Sequence, residues 1–452
     1  MTGSGVFSGR RFAVVGLGRN GLPAARRLVA LGAEVLAWDD SAPARAAATD
    51  LAVGVPDFAA ARFDALVLSP GIAHRLPAAH PLAAAAIAAG VPIWSDAELL
   101  FAAHAGRARF AGITGTNGKS TTTALLAHLL SVAGIANAAG GNLGRAALDL
   151  SVPGGGVFVL EMSSYMLERL ASLRFDVAAM LNLSPDHLDR HGDMAGYIAA
   201  KRAIFDRQRA GDLAVVGIDD PHSAAMARAL DAGPARVMRI SGFQPADLWC
   251  DHGRLCDREG MIVDLADCRA LPGAHNAQNA AAACALAMAL GAPRAGLAAG
   301  LAGFAGLPHR QRRVGQIDGV TFIDDSKATN ADAAARALGC YEQVIWIAGG
   351  QAKAGGITAL APWFSRIARA LLIGADAPML AASLAQAGVP HEIVGTLEAA
   401  VPAAFAAARE RSVPVVLLSP ACASFDQFAG FEARGRRFAE LVGGLDVPAG
   451  QG

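Results

Sequence analysis

The stretch "GITGTNGKSTTTALLAHLL", residues 112–130, constrains the fold more than any other part of the chain. An apolar run gives way to polar residues bounded by glycine and then to a helical pattern, so a strand enters a tight loop and leaves as a helix. The loop closes on Gly118, Lys119 and Ser120, as phosphate-binding loops do. The usual spacing, G-x-x-x-x-G-K-[ST], asks for glycine at position 113, where this chain has Ile113. The compact form, Gly115, Thr116, Asn117, Gly118, Lys119 and Ser120, still offers backbone N–H groups and a helix N-terminus to phosphate oxygens. Lys119 can neutralise the β and γ phosphates and the Ser120 hydroxyl can ligate Mg²⁺, so the expected ligand is a nucleoside triphosphate.

Two further blocks of strand and helix flank this one. "RRFAVVGLGRNGLPAARRLVALGAEVLAWDD" reads as a βαβ unit with Gly16, Gly18 and Gly21 in G-x-G-x-x-G spacing and Asp39 after the second strand. Taken alone it reads either as a dinucleotide site, with the diphosphate at a helix N-terminus, or as a tight turn with no ligand. The central block continues through "GGVFVLEMSS", "FDVAAMLNLS" and "DLAVVGI", and a third opens near "GVTFIDDSKATN" and runs to "VPVVLLSPACASFDQF". Short apolar strands alternating with helices predict an α/β protein with mainly parallel sheets covered on both faces, and ligands at the carboxyl ends of the strands. The 452 residues suffice for two or three domains. The joints are expected near Trp94–Glu98 and Gly306–His309, giving domains 1–97, 98–306 and 307–452 that hinge about packed joints.

Lys plus Arg equal Asp plus Glu at 39 each, so no excess positive charge draws the chain to nucleic acid or an anionic membrane. The longest apolar run, Ala280 to Leu290, falls short of the roughly 20 residues a spanning helix needs. The first residues, "MTGSGVFSGRR", do not read as an export signal, and a soluble cytoplasmic monomer is expected. Six scattered cysteines make no disulfide framework. Cys250, His252 and Cys256 sit close in sequence but match no usual zinc spacing, and structural thiols are the expected reading.

Candidate metal partners follow the loop: Glu161 at the end of "VFVLEMSS" and His187 in "NLSPDHLDRH". One carboxylate with Ser120 and phosphate oxygens would serve Mg²⁺, whereas His187 alone fits a loop or capping residue equally well.

"TGTNGKST", "EMSS", "SPDHLDRH", "YIAAKRAIF", "GAHNAQN", "GLPHR", "DDSKATN" and "SPACASFDQF" occur in the order found in the Mur ligases, and over nearly its whole length the chain resembles that family. The resemblance implies three domains: a Rossmann-like N-terminal domain for a UDP-linked substrate, a central P-loop ATPase domain and a Rossmann-like C-terminal domain for an amino acid. It implies an ATP-dependent amide ligase that adds D-glutamate to UDP-N-acetylmuramoyl-L-alanine through an acyl phosphate, in the synthesis of peptidoglycan precursors. On the UDP side it nominates Gly18, Arg19, Asn20, Asp39, Ser69, Pro70, Gly71, Asn142 and His187. For ATP it nominates Gly115 to Thr121, Asn276, Asn279, Arg310 and Asp325; for D-glutamate, Lys327, Thr329, Lys353, Ser424, Phe425 and Phe431. Lys119, Glu161, His187 and Lys201 are the implied catalytic set. Two Mg²⁺ ions are implied, held by Ser120, Glu161, His187 and a carbamylated Lys201.

Plainer readings stand beside several of these. Lys201 fits an exposed helix charge, Asn142 a turn residue, Asn276 a helix N-cap and Phe431 a core ring. The chain also departs from the family pattern: Met166 stands where glutamine is usual, alanines flank Lys353, and Asp324 replaces a frequent asparagine. A ligase for another amino acid or for folate, and a P-loop protein that uses ATP only as a switch, are the competing readings.

Overall fold

The computed structural model describes residues 5–142, 144–353 and 355–445, without the side chain of Ala274. Its strands form three sheets. The first holds β1 (Arg11–Val15), β2 (Glu34–Trp38), β3 (Ala52–Val53), β4 (Ala65–Leu68) and β5 (Ile93–Trp94) in the order 3-2-1-4-5, all parallel. Phe12, Val14 and Val67 bury against the helix Gly21–Ala30 on one face, while Ala13, Val15 and Leu66 bury on the other, which is why β1 and β4 are apolar without alternation. The helix can start at Gly21 because a Cβ there would fall 1.7 Å from Gly16 O. Since β1 lies between β2 and β4, the loops carrying Gly16 to Asn20, Asp39 and Ser69 come side by side at one end of the sheet.

The second sheet contains β6 (Arg109–Thr114), β7 (Asn137–Gly141), β8 (Val157–Glu161), β9 (Val177–Met180), β10 (Leu213–Gly217), β11 (Arg236–Ser241), β12 (Leu248–Asp251), β13 (Arg254–Asp257) and β14 (Gly260–Asp264). Its order is 14-13-12-11-10-9-6-8-7; β6 to β12 run parallel, and β13 and β14 extend the edge as an antiparallel meander. Register aligns Ile113 and Gly141 with Glu161, and Thr114 with Met180, so the ends of four strands converge on the phosphate loop. In the meander Cys256 pairs with Trp249 and Cys250 with Leu255, so the two thiols point to opposite faces. His252 lies exposed at the turn, and all six cysteines are free.

The third sheet is built from β15 (Arg312–Ile317), β16 (Val320–Asp324), β17 (Val344–Gly349), β18 (Ile367–Ile373), β19 (His391–Gly395) and β20 (Val415–Leu418), in the order 15-16-20-17-18-19. Only β15 is antiparallel. Trp346 and Leu417 fill the core on one face, Phe322, Ile347 and Phe438 on the other. Contacts divide the chain into two compact units: the first two sheets lie in one and the third in the other, with the change at Phe304 and Ala305, and with Arg269–His275 grouped with the third sheet. Among the described residues, no helix is long and apolar enough to cross a membrane.

Candidate active site

β6 reverses into the helix Lys119–Val132 through a turn in which Gly118 sits at φ 83°. A Cβ on Gly118 would lie 2.1 Å from Asn279 Oδ1, so glycine is what lets the helix Ala274–Ala289 meet the loop. Asn182, just past β9, braces the loop from below. Its Oδ1 accepts from the Asn117 backbone N–H (3.0 Å), and its Nδ2 donates to Asn117 O (3.3 Å) and Gln278 Oε1 (3.1 Å). Asn279 Nδ2 donates to Asn276 Oδ1 (3.0 Å), and Thr122 Oγ1 donates to Asn279 Oδ1 (3.3 Å). Asn276 thus lies inside its helix, which begins at Ala274, and the N-cap reading of it is wrong. Ser120 is buried and Thr121 half-buried in the first turn.

Two lysines meet at this loop. Lys119 Nζ donates to the carbonyls of Gly115 (2.9 Å) and Thr116 (2.8 Å). Lys201, on the helix Met194–Arg202, is only 2 % exposed, which removes the reading of it as a surface charge. Its Nζ donates to Gly115 O (2.8 Å) and Thr114 Oγ1 (3.3 Å) and lies 4.9 Å from the centre of the Tyr197 ring. Burial and then the neighbouring Lys119 push its pKa well below that of an ordinary lysine, against the pull of Asp186 and Glu161. Tyr197, one helical turn before Lys201, places its hydroxyl 3.1 Å from Thr116 Oγ1. The i, i+4 spacing within "YIAAK" could have signalled that tyrosine in the sequence.

Glu161 is buried at the end of β8, with Oε1 accepting from Asn142 Nδ2 at 2.6 Å. Its Oε2 is buried and has no hydrogen-bond partner among the described residues. Asn142 is therefore more than a turn residue. His187 caps the short helix Leu188–His191 at φ 53° without a side-chain capping bond. Its Nε2 is 3.4 Å from Asp186 Oδ2 and its ring 5.1 Å from that of Tyr165. Desolvation lowers its pKa, Asp186 opposes that, and Lys119 and Lys201 lower it further, which favours the neutral imidazole.

A concavity of about 490 Å³ adjoins this centre, lined by Gly18, Arg19, Asn20, Asp39, Ser69, Pro70, Gly71 and Asn142 among others. Arg19 Nη2 donates to Asn142 O at 3.3 Å, which links the first sheet's glycine loop through Asn142 to Glu161. Asn20 Nδ2 approaches Gly141 O (3.5 Å) and Asp96 Oδ2 (3.4 Å). Asp96 is a residue the sequence did not flag; buried, with its pKa raised by desolvation, it also accepts from Ala147 N (2.8 Å). Asp39 differs from expectation in its present bonds: Oδ2 accepts from Leu17 N (2.6 Å) and Oδ1 from Ser41 N (2.8 Å), so the carboxylate shapes the glycine loop itself. Met166 is fully buried in the core and offers the cavity no hydrogen bond.

The remaining candidates lie in the other unit. Asp325, just past β16, accepts from Ser419 Oγ (2.7 Å) and Gln311 N (3.2 Å), and burial raises its pKa to about 7. Arg310 is close enough to lower it again in part. Asp324 Oδ2 lies 2.6 Å from His309 Nδ1, so the aspartate at the family's asparagine position accepts a hydrogen bond from that ring. Lys327 Nζ stands 4.0 Å over the Phe431 ring, which is half-buried at the start of the last helix and is not a core side chain. Thr329 N donates to Lys327 O at 2.8 Å. Ser424 is buried, Phe425 is 70 % exposed and Lys353 is exposed. Arg434, absent from the sequence reading, lies beneath them: buried, it donates to Ser326 Oγ (2.9 Å), Ser326 O (2.9 Å) and Cys422 O (3.1 Å), and burial holds its pKa at about 10.

A parallel sheet with this loop at its centre defines the class, the P-loop nucleotide-binding proteins. Residues 113–287 match the Mur ligase middle domain, and residues 309–422 match the Mur ligase glutamate ligase domain. The UDP-N-acetylmuramoylalanine–D-glutamate ligase of Paramagnetospirillum magneticum is 49 % identical over 449 residues, covering 98 % of both chains. That of Rhodospirillum rubrum is 47 % identical over 461 residues, covering 97 % of this chain and 95 % of its own. The chain belongs to the Mur ligase family. The UDP-N-acetylmuramate–alanine ligase of Thermotoga maritima shares the fold at a TM-score of 0.59 and 19 % identity, over 95 % of this chain and 98 % of its own.

Proposed function

We propose that this chain is the ATP-dependent ligase that joins D-glutamate to UDP-N-acetylmuramoyl-L-alanine, a step of peptidoglycan precursor synthesis. The relatives that match over almost their full length carry that activity in their names, and the compact phosphate loop supplies its ATP site. Residues 1–97 hold the UDP-linked acceptor, 98–306 hold ATP, and 307–452 hold D-glutamate. The chain works as a cytoplasmic monomer.

A carboxylate does not acylate an amine at neutral pH, because oxide would have to leave. Transfer of the γ-phosphoryl group makes an acyl phosphate; the amine of D-glutamate attacks it, and phosphate departs with the electron pair of the broken C–O bond. The protein's part is positioning and charge neutralisation. Lys119 lies on the loop carbonyls that flank the γ-phosphate position, and the backbone N–H groups of Gly115 to Ser120 with Thr121 receive the phosphates. Asn276 and Asn279 serve the adenine side, and Arg310 and Asp325 the ribose and phosphates. The UDP-linked acceptor occupies the cavity of Arg19, Asn20, Ser69 and Asn142, whose far wall leads to Glu161. D-glutamate, a dicarboxylate, is met by Lys327 and Lys353 with Thr329 and Ser424, while Phe425 and Phe431 flank it.

The residues fit divalent cations. Glu161 presents a buried carboxylate oxygen with no hydrogen-bond partner among the described residues, and Ser120, whose hydroxyl could ligate a cation, is buried in the first turn of the helix that follows the phosphate loop. Among the described residues no group of three His, Cys, Asp or Glu could hold a metal ion by itself, and Mg²⁺ would take its other oxygens from phosphate and water. Two Mg²⁺ ions would be held by Ser120, Glu161, His187 and Lys201, and when bound they oppose the repulsion between acceptor carboxylate and triphosphate. Lys201 joins that set as a carbamate. Its depressed pKa favours the neutral amine, the form that can add CO₂ with loss of one proton.

The single observation that carries this reading is the chain of contacts from Arg19 through Asn142 to the half-satisfied Glu161. Purified protein should release phosphate from ATP only when both UDP-N-acetylmuramoyl-L-alanine and D-glutamate are present. Equal release with L-glutamate, or none with the pair, refutes it.

A further inference from the structure

Behind the cavity wall lies a largely buried polar cluster whose own residues are not among those lining the cavity. The Glu168 carboxylate is its centre. Oε1 is 3.3 Å from His74 Nδ1 and 3.6 Å from Arg190 Nη2, and Oε2 is 3.5 Å from His191 Nδ1. Oε1 is buried and makes no well-aligned hydrogen bond, so ion-pair attraction holds it. His74 Nδ1 also accepts from Arg169 Nε at 3.4 Å.

The two guanidiniums beside this carboxylate turn their other donors on one short turn. Arg169 Nη1 donates to Leu68 O (2.8 Å) and Ser69 O (3.0 Å), and Arg169 Nη2 donates to Ile72 O. Arg190 Nη2 also donates to Ile72 O (3.0 Å), and Nη1 approaches Gly71 O (3.4 Å). Ser69, Pro70 and Gly71 are the outer face of that turn and line the cavity. On its other side the cluster reaches the His187 helix: His191 Nε2 is 2.9 Å from Ser164 Oγ, and Arg190 packs 4.6 Å over Tyr165, whose ring meets His187. Arg169, Arg190 and His74 are all buried. Without a central anion, two buried guanidiniums would face each other uncompensated and would separate, taking the turn's donors with them.

We propose that Glu168 is a positioning residue for the UDP-linked acceptor: through Arg169 and Arg190 it fixes the 69–71 turn against the segment that carries His187. The inference rests on the reading of the cavity as the acceptor site. Glu168 touches no substrate, so its effect falls on the acceptor and spares ATP.

Steady-state kinetics of the full chain test this with Glu168→Gln, which keeps shape and removes charge, Glu168→Asp, which keeps charge, and Arg19→Ala, which alters the cavity wall. Glu168→Gln should raise KM for the acceptor about tenfold, the scale of one charged contact, with KM for ATP changed less than about twofold. Glu168→Asp should recover most of that loss. A merely structural role would lower kcat through a smaller active fraction and leave KM for the acceptor where it was, or shift both KM values together; either result overturns the proposal. If Arg19→Ala raises the acceptor KM and Glu168→Gln does not, this inference alone fails. If neither variant moves it, the acceptor reading falls and the inference with it. Should Glu168→Gln fold poorly, His191→Asn removes one arm of the cluster and should raise the acceptor KM about threefold, again sparing ATP; an unchanged value refutes the proposal.

Discussion

Asn142 Nδ2 donates to Glu161 Oε1 at 2.6 Å and leaves Glu161 Oε2 buried with no hydrogen-bond partner among the described residues. The bond orients the carboxylate from the acceptor side while its second oxygen stays available to a cation. Glu161→Gln keeps the shape but not the charge. We expect kcat to fall by a factor on the order of 10²–10³, as when one electrostatic stabiliser of the reacting groups is removed, and the Mg²⁺ concentration for half-maximal rate to rise. A variant with near-normal kcat at ordinary Mg²⁺ would show that Glu161 is structural.

The Lys201 amine is buried at a cost to the fold. Its pKa is depressed in the folded chain, so between that lowered value and the ordinary lysine value the unfolded chain binds more protons at this residue, and stability contributed here rises with pH across that window. Lys201→Met should therefore abolish most activity yet unfold at a temperature about 2 °C or more above the parent at pH 7 in bicarbonate-free buffer. A lower unfolding temperature would mean that the bonds to Gly115 and Thr114 outweigh the desolvation.

Asp325 runs the opposite way. With its pKa raised to about 7 when folded, the native chain holds a proton that the unfolded chain has already lost above about pH 4. Stability contributed here is present at low pH and is lost as pH rises toward 7. Asp325→Asn should flatten that decline in a urea titration repeated from pH 5 to 7.5; an unchanged slope would place the pKa elsewhere.

Gly118→Ala would place a methyl group 2.1 Å from Asn279 Oδ1 at a φ that alanine resists. KM for ATP should rise at least about tenfold, from strain of some 1–3 kcal/mol at the loop, while acceptor binding measured by calorimetry without ATP stays the same. Equal loss of both would point to general unfolding.

How much of this was legible in the residues depends on how locally each feature is encoded. The compact loop was readable because Gly115 to Ser120 are consecutive and the strand and helix around them are strongly patterned. The three sheets followed from apolar runs such as "FAVV" and "VIWIAGG". Asn182, Asp96, Glu168 and Arg434 were not readable. Their partners come from strands and loops far away in sequence, brought together by the 9-6-8-7 and 16-20-17 strand orders, and no spacing announces such a meeting. Asp39 was legible as a cavity residue from its place after the second strand, but not its bonds to the N–H groups of Leu17 and Ser41, which depend on how the glycine loop folds back.

The account's central claim is that the acceptor carboxylate is phosphorylated before the amide forms. Acceptor labelled with oxygen-18 in the alanine carboxylate, turned over with ATP and D-glutamate, tests it by mass spectrometry of the released phosphate. The account predicts one labelled oxygen in phosphate for every amide bond made. Unlabelled phosphate alongside normal product would contradict it.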